Sequence, residues 1–222
     1  MLWRAIGRNA AMYAMPVLIR QPISVLAPHR SVPRLAKLRT CAVAGAMTGP
    51  GVEVKVMDKL KDTQHAITTV ESCTGGRVAD LLTNVGGAAQ VYWGSVITYD
   101  GSLKSDWGVP ACSIKDVGTV TEQVAGEMAS AGLQRMMEGY EREKSCSDLA
   151  EPKGFICLST TGFAGGAPRA EWSGTCYLGL AMSSLKEPVV KKVHAAGNSR
   201  EHRIEHKEYF AEQALQMVME HL

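Results

Sequence analysis

The 222 residues are 45% apolar and 21% charged, enough for one sizeable core, and the default is one globular domain. Arg, Pro or Gly breaks every long apolar run well short of the ~20 residues that a bilayer crossing needs, so no transmembrane helix and no membrane partner are expected. Residues 1–46 hold seven basic residues and no acidic one, whereas the remainder holds 17 basic and all 22 acidic residues, a net of −5. That Arg-rich, acid-free start, with Leu2, Trp3, Ile6 and Val17 to Ile19 between the arginines, has the composition of a mitochondrial or plastid transit peptide. A disordered basic tail and a basic arm for nucleic acid are the other readings of such a segment. Prolines at 16, 22, 28 and 33 oppose one continuous binding helix, and no nucleic-acid partner is expected. A cleaved leader implies the mitochondrial matrix or another organelle; otherwise the expectation is the cytoplasm.

In chain order, Gly51 to Gln64 reads as a short helix and Ala66 to Val70 as a strand that ends at Glu71-Ser72-Cys73-Thr74. Gly76 to Asn84 is a helix with Val78, Leu81, Leu82 and Val85 on one stripe. Val91 to Tyr99 is β-branched and aromatic, hence a strand, and Asp100-Gly101 a turn. Thr121 to Tyr140 is a long helix burying Val124, Met128, Ala131 and Met136, and 141–153 a charged surface loop. Gly154 to Ser159 is a strand that feeds a second glycine-rich loop, Thr161 to Gly166. Two further strands, Gly174 to Met182 and Val189 to Ala195, precede a closing amphipathic helix from Arg200 to Leu222. Its apolar stripe, Phe210, Ala214, Met217 and Val218, suits the core or, in a homo-oligomer, a dimer face. Strands interleaved with helices predict a single α/β domain, a three-layer α/β/α sandwich, over residues 51–222.

The six cysteines (41, 73, 112, 146, 157 and 176) show no CxxC pair and no framework spacing, which fits reduced thiols; Cys157 and Cys176 lie in apolar strands as small core residues. His202 to His206 fits HxxEH, two histidines on one helix face, but Arg200 and Arg203 oppose a cation there, and neither a metal nor a cofactor is expected.

The most informative segment is Thr69 to Val109. Ser72 follows a strand and precedes Gly75-Gly76 at a helix start, where outward N–H groups and the helix dipole favour an oxyanion or a phosphate. A serine hydroxyl needs a base, and no histidine lies in a suggestive position. Lys104 is the candidate, provided that burial or a neighbouring cation holds it neutral. Cys73 competes with Ser72 as nucleophile, since a thiolate is favoured at a helix N-terminus. Adjacent residues at a strand end point to opposite sides, so only one of the two faces the site.

Glu71 to Gly76, ESCTGG, together with the segment closing on Lys104, resembles the CinA C-terminal domain family, whose pattern carries AESCTGG and then a VTYSNEAK-like strand end. Val120 to Ala129 resembles the family's VSEPVAxEMA helix, and Thr161-Gly162-Phe163-Ala164-Gly165 its SGIAG loop. Gly174-Thr175 resembles its GTV strand, and Gly197 to Arg200 its GDR turn. The resemblance implies a mixed central sheet and a metal-independent nicotinamide mononucleotide (NMN) deamidase, a hydrolase of NAD metabolism that acts through a Ser/Lys dyad. It implies Ser72 as nucleophile and Lys104 as base, with Tyr99 orienting Lys104 or facing the pyridinium ring. Thr74, Gly75, Gly76, Thr161, Gly162, Gly165 and Arg200 would hold the oxyanion and the nucleotide. The pattern's PDGG is replaced by Gly166-Ala167-Pro168-Arg169, which removes an acidic position; a nucleotide-binding module without turnover is therefore the alternative.

Overall fold

In the computed structural model, residues 50–197 and 202–222 are described. The leader expected over 1–46 and Arg200 lie outside them. Helix α1 (Val52–Thr63) leads into β1 (His65–Glu71), α2 (Arg77–Thr83) and β2 (Tyr92–Ile97). Two short helices, α3 (Gly101–Asp106) and α4 (Ala111–Val117), precede the long α5 (Glu122–Glu143). Strands β3 (Gly154–Gly162), β4 (Thr175–Met182) and β5 (Val189–His194) follow, and α6 (Arg203–His221) closes the chain.

The five strands form one mixed sheet in the order β2-β1-β3-β4-β5. β1 runs parallel to both β2 and β3, while β4 is antiparallel to β3 and β5 to β4. Side-chain alternation on β3 separates two cores. Ile156 and Leu158 join Ile67, Leu178, Leu180 and the apolar faces of α1, α2 and α6. Cys157 points the other way and joins Val70, Val124 and Met128 of α5. The result is the α/β/α sandwich that the element pattern predicts, with the mixed sheet that the resemblance implies. The closing helix's stripe is core: Phe210, Ala214 and Val218 are fully buried and Met217 nearly so.

The chain leaves β1 through α2 to reach β2 on one side, and returns through α3, α4 and α5 to reach β3 on the other. Right-handed crossovers in opposite directions place their helices on opposite faces, which opens a crevice at the carboxyl end of β1. The residues that leave the carboxyl ends of β1, β2 and β3 therefore meet there.

Two local expectations are corrected. Asp100-Gly101 does not turn the chain back: Asp100 caps α3, its carboxylate accepting from Ser102 N at 2.8 Å and Ser102 Oγ at 2.6 Å. Those bonds hold the Asp100 carboxyl below its usual range. Residues 141–153 are not all loop, because α5 continues to Glu143 and a 3₁₀ turn covers Lys144–Cys146. Thr121 does start α5, its Oγ1 accepting from Val124 N at 3.2 Å.

Helix α5 reaches the sheet closely because it carries glycine where it crosses β1 and β3. A Cβ at Gly132 would lie 2.4 Å from Cys157 Sγ and 2.5 Å from Val70 Cγ2. Alanine is the better helix former by about 1 kcal/mol, but overpacking at such distances costs about 1–3 kcal/mol. Gly132→Ala is therefore expected to lower the urea midpoint with little change in m-value; an unchanged or raised midpoint would contradict this packing.

Candidate active site

Ser72 and Lys104, 32 residues apart, meet at the carboxyl end of the sheet: Lys104 Nζ donates to Ser72 Oγ at 2.9 Å. Ser72 leaves β1, whereas Lys104 sits on α3, whose cap by Asp100 aims the side chain inward. Lys104 is 1% exposed and Ser72 7%. The Lys104 amine also donates to the carbonyl of Thr98 and, at 3.4 Å, to that of Tyr99. Burial pulls its pKa down from 10.5 to about 8, against a partial upward pull from Cys73 and Asp100. Neutral lysine is thus populated near neutral pH, the condition for it to accept a proton from serine.

Sequence reasoning missed the group that fixes the Ser72 loop. Glu71 is fully buried, and both of its carboxylate oxygens turn into the first turn of α2. Oε2 accepts from Thr74 Oγ1 at 2.7 Å, Gly76 N at 2.9 Å and Val78 N at 3.3 Å. Oε1 accepts from Ala79 N at 2.9 Å and Thr69 Oγ1 at 3.3 Å. The helix N-terminus is therefore already occupied by a carboxylate of the chain, and of the amides from Thr74 to Gly76 expected to receive an oxyanion this removes those of Gly75 and Gly76. Gly76 N is committed to Glu71, and Gly75 N donates to Ser72 O at 3.1 Å. Among the described residues, the N–H groups of Cys73 and Thr74 have no acceptor. The two glycines are needed for another reason: their φ values of +61° and +90° turn the chain tightly from strand to helix.

Thr160, on β3, was also missed. Its hydroxyl accepts from Ser72 N at 3.4 Å and lies 2.7 Å from Thr74 Oγ1, whose own proton goes to Glu71. The donors then run in one direction, from Ser72 N to Thr160 Oγ1, to Thr74 Oγ1, to Glu71. The only sequence sign was a run of three hydroxyl residues, Ser159 to Thr161, in an apolar strand.

The remaining expected residues divide. Tyr99 is neither a core aromatic nor a side-chain partner of Lys104. Its ring is 62% exposed, its hydroxyl accepts from Arg203 Nη2 at 3.1 Å, and only its carbonyl meets the lysine. Arg203 also donates to Gly165 O at 3.2 Å, tying the start of α6 to the loop after β3. Thr161 spends its hydroxyl on Thr119 O at 2.7 Å. Gly162 is required by strand packing, since a Cβ there would fall 2.6 Å from Thr175 O. The divergent loop packs Arg169 over Trp172, at 4.7 Å from the ring, and Trp172 in turn stacks on Phe163. Cys73 turns away from Ser72 Oγ into the core, 4% exposed, with Sγ 3.5 Å from Cys176 Sγ. Of the HxxEH pair, His206 is buried with Nδ1 3.0 Å from Ala164 O and Nε2 3.1 Å from Ala196 O, so both ring nitrogens are spent on backbone.

A cleft of about 380 Å³ borders the Ser72 loop, lined by Thr74, Gly75, Gly76, Arg77, Ile204 and Lys207 among others. Arg77 is committed to Glu208 and, at 3.6 Å, to Asp80. Lys207 Nζ lies over Gly75, 3.1 Å from where a Cβ would stand. A larger cavity of about 680 Å³, lined by Trp107, Glu122, Glu127 and Arg135 among others, includes neither Ser72 nor Lys104. Replacing the capping carboxylate tests the loop directly. Hydrogen bonds to a charged group are each worth about 1.5–3 kcal/mol, so Glu71→Gln is expected to lower unfolding free energy by at least about 2 kcal/mol in urea. An unperturbed Glu71→Gln would show that the loop does not depend on the charge.

The pattern that defines the CinA C-terminal domain matches residues 50–140. A CinA-like protein of Syntrophomonas wolfei is 33% identical over 166 residues, 73% of this chain and 35% of that protein. A CinA-like protein of Chloroherpeton thalassium is 32% identical over 196 residues, 86% of this chain and 42% of that protein. The chain thus spans about two fifths or less of the length of these curated bacterial relatives. Among solved structures, the competence/damage inducible protein CihA of Agrobacterium tumefaciens aligns with a TM-score of 0.60 at 25% identity, over 77% of this chain and 95% of that one. A competence-damaged protein (CinA) superfamily protein of Escherichia coli aligns with a TM-score of 0.61 at 22% identity, over 77% and 88% of the two chains. The ESCTGG loop lies inside the matched pattern, and the sandwich that holds it is the fold of these neighbours, so residues 50–140 carry a CinA C-terminal domain.

Proposed function

We propose that the domain is a metal-independent amidohydrolase that converts the carboxamide of NMN to the carboxylate of nicotinic acid mononucleotide with release of ammonia. The observation that carries this reading is the buried Lys104 amine hydrogen-bonded to Ser72 Oγ. NMN as the amide follows from the family resemblance of the ESCTGG and Lys104 segments.

Neutral Lys104 takes the Ser72 proton while Oγ attacks the carboxamide carbon, and the carbonyl π electrons move onto oxygen. The N–H groups of Cys73 and Thr74, free of other acceptors among the described residues, stabilise that oxyanion. The ammonium of Lys104 returns a proton to the departing amine, ammonia leaves, and the acyl group remains on Ser72. Water, deprotonated by the same lysine, then releases the acid and restores Oγ–H. Lys207 and Arg203 supply positive charge for the nucleotide phosphate, which the α2 N-terminus cannot hold because Glu71 fills it. The pyridinium is a cation, and the exposed Tyr99 ring offers it an aromatic face.

The second reading, a nucleotide-binding module without turnover, is favoured by one observation: the acidic position of PDGG is gone and Arg169 is stacked on Trp172 in that loop. Ammonia release from NMN by wild type, Ser72→Ala and Lys104→Ala separates the two. Turnover in wild type and a loss of at least ~10⁴-fold in either variant is expected of a nucleophile and its base. NMN binding without ammonia release by the wild type would establish the module instead.

The lysine's depressed pKa also fixes the pH dependence. The active form is the neutral amine, so kcat/KM rises with pH through about 8 and is expected to increase about tenfold between pH 7 and pH 9. Stability has the same sign: between about 8 and 10.5 the unfolded chain holds more protons on Lys104 than the folded one, so folding gains as pH rises through that window. A rate that is flat or falls across this range would remove Lys104 as the base.

A further inference from the structure

We propose that Cys73 and Cys176 form an oxidative modification site, in which a peroxide converts the two thiols to a disulfide and thereby displaces Ser72. The residues are 103 apart in sequence, yet their sulfurs are 3.5 Å apart and both are free thiols. They reach the same core from different elements. Cys73 directly follows the nucleophile in the loop between β1 and α2. Cys176 lies on β4, paired with Gly162 of β3 on one side and Val193 of β5 on the other.

Packing alone does not call for the second sulfur. Cys176 takes the third position of Gly174-Thr175-Cys176, where the GTV pattern has valine, which fills a buried strand position with no thiol. Cys157, equally buried, has its thiol pushed up by burial, and among the described residues no second thiol is hydrogen-bonded to it. The Cys73 and Cys176 pair is therefore a distinct arrangement, in the core on the other face of the sheet from Cys157.

The chemistry balances with hydrogen peroxide as oxidant. Cys73, the less deeply buried of the two and next to Ser72, is the sulfur that reacts first. Its sulfur attacks one peroxide oxygen, the O–O bond breaks, and the departing hydroxide takes the Cys73 thiol proton, leaving a sulfenic acid and one water. Burial pushes the Cys176 thiol up, so it reacts second. It attacks Cys73 Sγ, the S–O bond breaks, and the departing hydroxide takes the Cys176 proton as a second water. The thiols lose two electrons, and the peroxide is reduced to two waters.

A disulfide holds its sulfurs ~2.05 Å apart, so the pair must close by about 1.5 Å. Cys176 is fixed in the sheet by ladders on both sides, and the movement therefore falls on the Cys73 loop. Ser72, one residue away, is drawn off Lys104, and their 2.9 Å hydrogen bond is lost. The consequence for activity rests on the proposed Ser/Lys chemistry; the disulfide itself does not.

The test uses the full chain, hydrogen peroxide and two readouts that do not involve NMN. Non-reducing peptide mapping is expected to show a linked Cys73–Cys176 peptide that dithiothreitol separates. Labelling of Ser72 by a fluorophosphonate probe is expected to fall by about 10²-fold on oxidation, as misplacing a reacting group by ~1 Å does, and to recover on reduction. Cys176→Val, with Cys176→Ala as the second variant, is expected to give no linked peptide and to keep its labelling through the same peroxide dose. Absence of the linked peptide at doses that oxidise the exposed Cys112 and Cys146 overturns the proposal. So does equal loss of labelling in wild type and Cys176→Val, or a linked peptide with labelling unchanged. A wild type that is not labelled even when reduced would count against the Ser72 nucleophile, while the linked peptide still decides the modification.

Discussion

Glu71 sets a carboxylate, sealed from solvent, against the first turn of α2, and the position of Ser72 follows from that contact. A helix start leaves N–H groups without partners, and in a buried loop each one left bare costs on the order of 1–3 kcal/mol. One side chain answers three of them, at Gly76, Val78 and Ala79, and draws in Thr74 as well. The chain between the carboxylate and the helix is tied at both ends by this side chain, and Ser72 is within it. Thr160 extends the same restraint to β3 by accepting from Ser72 N.

Lys104 is held by a different balance. Desolvation disfavours its charge, but carbonyls of Thr98 and Tyr99 accept from the amine and retain it inside. The amine therefore stays buried and titrates close to neutrality, which neither effect alone would achieve. This is possible because β2 ends beside β1: Thr98 N donates to Glu71 O at 2.8 Å, so the carbonyls that hold the lysine are fixed to the strand that carries the serine. Ser72, Lys104 and their supports thus form one hydrogen-bonded unit across the carboxyl ends of β1, β2 and β3.

The glycine-rich loops serve less as a phosphate cradle than their composition suggests. At Gly75 and Gly76 the positive φ values turn the chain, and their amides are used internally. Gly162 is glycine because β4 lies against it. Positive charge at the site mouth comes instead from α6, through Arg203 and Lys207. No local pattern marked either residue, because their relevance depends on α6 packing back over the β1 and β3 loops.

Periodicity and turn chemistry determined much of this protein. The strands, the long helix from Thr121 and the closing helix were legible because a half-buried element must alternate at 2 or 3.6 residues wherever one face meets a core. The short α3 was not, since six residues are too few to show a period and Asp100-Gly101 serves a turn as well as a cap. ESCTGG and the following lysine could be named as a pair from the sequence. Tertiary structure alone decided that they touch, that the helix amides are already taken by Glu71, that Thr160 anchors the serine backbone, and that Cys73 faces Cys176. Each of these joins residues separated along the chain, or depends on which way a side chain turns when buried, and such facts are set by strand order and packing, on which local sequence is silent.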